Sequence, residues 1–442
     1  MDIKISDSFD YKKLLRFTLP SIIMMIFTSI YGVVDGFFVS TFAKKTAFAA
    51  VNFIMPYLMI LGTLGFMIGA GGSALVAKTL GEGDKKRANE YFSLLIYFSV
   101  IAGVILSVFG ILFLRPIAGL LGAEGELLEM CVRYGRIVLL ALPFFMVQMA
   151  CQSFFVTAEK PKIGLIATVA AGVTNIVLDA LLVGLLSYKL EGAAIATAIS
   201  QTVGGIFPLI YFSRKNSSLL RLSKTKFSLY ALVRTATNGS SELMSNISMS
   251  LVNMLYNVQL FKYAGEDGVA AFGVIMYVNF VFISIFFGYA VGSAPIVGYH
   301  FGAKNRDELK NILKKSLVIT GICSLLMFVL SESLASPLSY LFVGYDEGLT
   351  ALTRQGFIIF SFSFLFAGFA IYGSSFFTAL NDGLTSAVIS FMRTLVFQIA
   401  AVLILPIFFE VFGIWISLVV AEVMAMALVV FFLILKRKKY GY

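Results

Sequence analysis

Residues 49–81 read AAVNFIMPYLMILGTLGFMIGAGGSALVAKTLG, and residues 270–302 read AAFGVIMYVNFVFISIFFGYAVGSAPIVGYHFG. The two stretches lie 221 positions apart, half of the 442-residue chain, and match without a gap. Ala49-Ala50 falls on Ala270-Ala271, Ile54-Met55 on Ile275-Met276, Gly71 on Gly292 and Gly81 on Gly302. The register extends outward. Arg133-Tyr134-Gly135 meets Arg354-Gln355-Gly356, Leu120 and Glu126 meet Leu341 and Glu347, Thr157-Ala158 meets Thr378-Ala379, and Gly192 meets Gly413. Loops and apolar runs stay in step together, so the chain is an internal duplication.

Composition names the solvent. Hydrophobic residues make up 59% of the chain and charged residues 13%, with a mean hydropathy of +0.92. Soluble domains carry about a quarter charged residues. This chain lacks the polar groups to cover a surface facing water, so it lies in a lipid bilayer. Apolar runs long enough to span fall at about 14–42, 49–77, 91–114, 130–157, 163–186, 192–213, 235–261, 269–299, 316–334, 351–380, 384–408 and 413–435. The fold expected is an all-α integral membrane protein of twelve helices in two pseudo-symmetric six-helix lobes. Six is even, so both halves start on one side of the membrane and the repeat is parallel. The basic stretch 214–234 links them, giving a first lobe over 1–218 and a second over 219–442.

The net charge of +10 is distributed as an orientation signal. One side of the membrane carries 25 Lys and Arg in its loops and termini, and the other carries 5, namely Lys44, Lys45, Arg115, Lys189 and Lys262. The positive-inside rule places both termini in the cytoplasm and assigns no nucleic-acid partner to this charge. The N-terminus has no cleavage site of a signal peptide. Cys131, Cys151 and Cys323 are scattered in apolar runs and read as buried small hydrophobes. His300, the only histidine, reads as structural.

Ionisable residues within spans cost roughly 2.5–3.5 kcal/mol each on insertion scales, which makes them the candidates for function. They are Asp35, Asp179, Glu242, Arg393 and Glu422. Counting from the far ends of their spans at 1.5 Å per residue, Asp35 lies about 12 Å deep and Asp179 about 10 Å deep. Thr197, five residues into the sixth span, sits at a matching level, and Asn175 shares a helix face with Asp179. Two carboxylates, an amide and a hydroxyl at one level suit Na⁺, a hard cation that prefers oxygen, or equally hold protons. Their repeat equivalents are Tyr256 for Asp35, Val396 for Asn175 and Ala400 for Asp179. Only the first lobe carries the acids, so cation handling belongs there. Arg393 and Glu422 both approach mid-membrane and are expected to form a structural ion pair. Glu242 reads as a substrate anchor or as a solvated residue of the inner cavity.

The chain resembles the multidrug and toxic compound extrusion (MATE) family along essentially its whole length, and its DinF/MepA-like branch more than its NorM branch. The similarity rests on Pro20 followed by Tyr31-Gly32-Val33-Val34-Asp35, and on Gly81-Glu82-Gly83-Asp84. Asn175-x-x-x-Asp179, the run Gly192 to Thr197, and Pro295-Ile296-Val297-Gly298-Tyr299 before Gly302-Ala303 complete it. The resemblance implies a V-shaped antiporter that expels cationic or amphipathic drugs in exchange for Na⁺ or H⁺. It implies that Asp35, Asn175, Asp179 and Thr197 form the cation site and that Pro20 marks a bend of the first helix. It also implies Tyr31 and Gln152 as cavity residues. NorM-type members place several acids in the second lobe, where this chain has Glu242 but no aspartate in the eighth or tenth span.

The working expectation is an alternating-access exporter, a monomer of the plasma (inner) membrane with no cofactor beyond its coupling ion. A flippase of lipid-linked saccharides is the alternative within transport, disfavoured by an acidic buried site. An intramembrane enzyme is disfavoured because there is no Walker A pattern, metal-ligand cluster, His-based triad or acid-rich motif. A passive channel conflicts with lobes that differ in charge.

Overall fold

A computed structural model describes residues 3–42 and 45–442. Helices dominate, because a backbone in lipid must satisfy every N–H and C=O within itself. In chain order they are α1 (Tyr11–Phe42), α2 (Lys45–Gly81) and α3 (Lys85–Leu120). Next, α4 consists of two pieces, Gly125–Leu140 and Leu142–Thr157, bent by 57°. Then come α5 (Pro161–Leu185) and α6 (Lys189–Ser213). The helical run Leu229–Gly302 breaks at Gly265 (φ 63°, ψ −151°) into α7 (229–264) and α8 (266–302). After α9 (Arg306–Val343), α10 is again two pieces, Glu347–Ser361 and Phe364–Ala379, bent by 48°. The run Gly383–Tyr440 breaks at Glu410 (φ 49°, ψ −130°) into α11 (383–409) and α12 (411–440). Among the described residues this makes twelve spans, six per lobe. Lys44 lies outside the described residues.

The backbone repeats as the sequence does. Gly83 and Lys304, 221 apart, both take positive φ (87° and 56°), and so do Lys189 and Glu410 (47° and 49°). Asp84 caps α3 by accepting the Arg87 N–H at 2.9 Å, and its counterpart Asn305 caps α9 through the Glu308 N–H at 3.1 Å. The bend in α4 falls at Ala141, and that in α10 at the equivalent Phe362. Pro143 opens the second piece of α4, where its missing N–H costs no helical bond. The bend in α10 is made with no proline there. Pro20, Pro56, Pro208, Pro295 and Pro406 all lie inside continuous helical stretches.

On α3, Ile101, Ile105, Val108 and Leu112 form an exposed apolar stripe at helical spacing. Such a face suits contact with lipid. Between the lobes, glycines let backbones touch. A Cβ on Gly71 of α2 would lie 2.5 Å from the Gly239 nitrogen on α7, and one on Gly292 of α8 would lie 3.0 Å from Thr18 Cα on α1. Thr18 and Gly239 are themselves 221 apart, so the α1–α8 and α2–α7 contacts are two copies of one packing.

Candidate cation site

Four helices of the first lobe converge on the buried acids. Asp179 is fully buried and Asn175 is 2% exposed, one turn before it on α5. At Asp179 the helix changes from α to π geometry, which continues to Leu185. Such widened turns recur at functional sites because they displace a side chain from the regular helical register. Asp35 on α1 comes within hydrogen-bonding reach of both Asp179 and Asn175. Tyr31, one turn before Asp35, lies in its electrostatic field and packs against Phe27, with ring centroids 6.0 Å apart. Thr197 of α6 faces the hydroxyl of Tyr134, a residue of α4 that is 1% exposed and feels both aspartates.

The bonding here is incomplete. Both oxygens of Asp179, Oδ1 of Asp35 and Oγ1 of Thr197 are buried with no well-formed hydrogen bond. No ion pair to either aspartate exists among the described residues. A buried carboxylate without donors or counter-charge is unfavourable by several kcal/mol, a cost that a proton or a cation would relieve. Gln148, Gln152 and Gln201 each also bury one unpaired amide atom. Gln152 is 4% exposed. Among the described residues no group of three or more His, Cys, Asp or Glu gathers that could hold a metal ion. The donor set is instead two carboxyls, an amide and hydroxyls, which suits a monovalent hard cation or protons rather than a transition metal.

The second lobe has nothing like it. Tyr256, the counterpart of Asp35, donates or accepts a 2.7 Å hydrogen bond with Ser417 and stacks on Phe272 with centroids 5.2 Å apart. The position is neutral and bonded. Deeper in that lobe, Arg393 grips Glu422 with two nitrogens, Nε at 2.9 and 3.1 Å and Nη2 at 2.8 Å. Arg393 sits in a second π segment, Met392–Phe397. The expected ion pair is therefore present. Glu242, half-buried on α7, lies in the field of the same guanidinium.

Sequence reasoning did not select Tyr134, Gln148 or Gln201. For Tyr134 a signal existed, since the Arg-Tyr-Gly and Arg-Gln-Gly triplets differ only at that position. The acids likewise occupy one half alone.

The MatE family profile matches residues 20–181 and again 243–404, once in each lobe. The chain belongs to the MatE (MATE) family. The multidrug export protein MepA of Staphylococcus saprophyticus is 28% identical over 366 residues, covering 81% of this chain and 80% of the relative. MepA of Staphylococcus aureus is 25% identical over 418 residues, covering 93% and 91%. Among solved structures, a crystal structure of a MATE transporter in complex with MaL6 superposes with a TM-score of 0.91 at 23% identity, covering 98% of this chain and 97% of that one. The two-lobed, V-shaped MATE architecture is therefore the fold of this multi-pass membrane protein.

Proposed function

We propose that the chain is a secondary antiporter that exports cationic or amphipathic organic compounds in exchange for Na⁺ or H⁺. The observation that carries this reading is a close pair of carboxyls, fully buried Asp179 and half-buried Asp35, with no counter-charge among the described residues and no equivalent in the other lobe. MATE relatives named for multidrug export support the substrate class. In this reading Asp35, Asn175, Asp179 and Thr197 bind the coupling cation, and Tyr134 positions Thr197. Tyr31 and Gln152 belong to the substrate cavity, and Glu242 offers a negative charge to an organic cation. The basic face is cytoplasmic, and the protein works as a monomer in the plasma membrane without a cofactor or catalytic step.

Coupling requires that cation and drug favour different states, because a ligand with equal affinity for both shifts nothing. A charge crossing 100 mV contributes roughly 2.3 kcal/mol, enough for one or two cations to drive concentrative export. The test is efflux of a fluorescent organic cation from proteoliposomes with the Na⁺ and pH gradients imposed separately. One of the two gradients should accelerate efflux, and replacing both Asp35 and Asp179 by Asn should abolish the acceleration. Efflux indifferent to either gradient rules the reading out.

A further inference from the structure

Residues 3–10, which precede α1, cross from one lobe to the other over the basic face. Ile5 is fully buried and Phe9 is 1% exposed, in an apolar cluster that includes Leu75 of α2, Ile296 of α8 and Leu309 of α9. The Ile5 N–H donates to Glu159 Oε1 of the first lobe at 2.8 Å. Four residues on, the Phe9 N–H donates to Glu308 Oε1 of the second lobe at 2.9 Å. The Ser8 hydroxyl donates to the other Glu308 oxygen at 3.2 Å, and Asn311 Nδ2 donates to the Phe9 carbonyl at 3.0 Å. His300 Nε2 meets the Asp7 carbonyl at 3.2 Å. A segment joined covalently to the first lobe is thus gripped by the second.

The reverse crossing is also made. Residues 219–228 lead into α7 of the second lobe but lie on the start of α3 in the first. The Arg221 N–H donates to Asn89 Oδ1 at 2.6 Å, the Ser223 N–H to Ser93 Oγ at 2.9 Å, and the Thr225 hydroxyl to the Glu90 carbonyl at 2.8 Å. Each lobe's leading segment is therefore strapped to the other lobe. The two straps differ in one respect. The covalent linker must stay, whereas the N-terminal strap is held at its C-lobe end by non-covalent contacts to Glu308, Asn311, Lys315 and His300.

We infer that residues 5–9 form a latch across the basic face, that Glu308 is its catch, and that the latch must release before the lobes part on that side. If α1 moves with the first lobe away from α9, Phe9 has to leave both its apolar seat and Glu308. Glu308 accepts from two strap groups, the Phe9 N–H and the Ser8 hydroxyl, and Lys315 Nζ adds a donor to the Phe9 carbonyl, so Glu308 is the side chain that takes the most strap donors. Glu308 is a positioning residue, since it touches none of the residues of the carboxylate site. The inference rests on the alternating-access reading.

The test is the distance between spin labels at Lys86→Cys in the first lobe and Lys310→Cys in the second, both exposed on the basic face. The full-length chain would be used in nanodiscs, with Cys131, Cys151 and Cys323 replaced by alanine. Glu308→Ala should raise the population with separated labels about tenfold, the factor expected for the net loss of one charge-assisted hydrogen bond. Glu308→Gln keeps a carbonyl acceptor for the Phe9 N–H and should raise it less. Asp307→Ala, at an exposed neighbour, should leave it unchanged. If Glu308→Ala does not fold, Ser8→Ala combined with Phe9→Ala tests the same latch from the strap side. Folded variants with unchanged distance distributions overturn the latch alone. The absence of a separated population in every variant and ionic condition overturns both the latch and alternating access.

Discussion

Gly81 and Gly302, 221 residues apart, pack each against the other's helix: a Cβ on Gly81 would collide with the Tyr299 carbonyl oxygen, and one on Gly302 with the Lys78 carbonyl oxygen. Lys78 and Tyr299 are also 221 apart, so the pseudo-two-fold axis of the protein passes between these glycines. The crossing joins α2 and α8 at the basic face, beside the straps.

Neither glycine can accept a side chain without moving backbone. Gly302→Ala should therefore cost about 1–3 kcal/mol, the usual penalty of overpacking a tight contact. Thermal unfolding in detergent measures it. Gly119→Ala, at a helical position with open space around its Cβ, is the control and should be close to neutral.

Tyr134→Phe keeps the buried ring and removes only the hydroxyl that faces Thr197. The variant should fold and reach the membrane with wild-type stability to within about 1 kcal/mol. Its half-saturating concentration of coupling cation should rise roughly tenfold, the change expected if the hydroxyl holds Thr197 toward the cation once it is bound. An unchanged cation dependence would remove Tyr134 from the site.

Breaking the Arg393–Glu422 pair on one side leaves an uncompensated charge in the second lobe. Glu422→Leu alone should destabilise by about 3–5 kcal/mol, whereas Arg393→Met with Glu422→Leu should recover much of that loss. A double-mutant cycle of unfolding free energies checks this. Additive losses would mean that the two side chains do not act as a pair.

The C-terminal tail reports on pH. Asp382 caps α11, accepts a 2.7 Å hydrogen bond from the Tyr440 hydroxyl and pairs with Lys436 at 3.5 Å. Burial pushes this carboxyl up, but the Tyr440 hydroxyl, Thr385 and Lys436 together outweigh it and hold the group below the usual carboxylate range. With the folded value depressed, the stabilisation is complete above the unfolded value of about 3.9 and fades only as pH falls through the lower folded one. The tail should therefore resist carboxypeptidase at neutral pH in the wild type, and Tyr440→Phe should speed its removal.

Much of this was legible in one dimension. Twelve apolar runs, the 221-residue register, the charge asymmetry of the loops and the matching depths of Asp35, Asp179 and Thr197 need only counting and a fixed rise per residue. The Arg393–Glu422 pair was also within reach, because two opposite charges near mid-membrane have few other partners. Tyr134 stands out in the repeat, where Gln355 takes its place, but a tyrosine that differs between halves does not declare that it faces Thr197. The bend of α10 likewise has no proline to announce it.

Sequence by itself determined that this chain lives in a bilayer as two related halves and that only one half carries the Asp35 and Asp179 pair, because hydrophobicity and chemical identity are properties of residues wherever they lie. The tertiary structure alone decided that those acids lie beside one another and near Tyr134, with no ion pair to them among the described residues. It also decided that Tyr256 closes the equivalent position, and that the N-terminal segment is gripped by the opposite lobe. These are relations between residues up to some 300 positions apart, fixed by helix packing that no local pattern encodes.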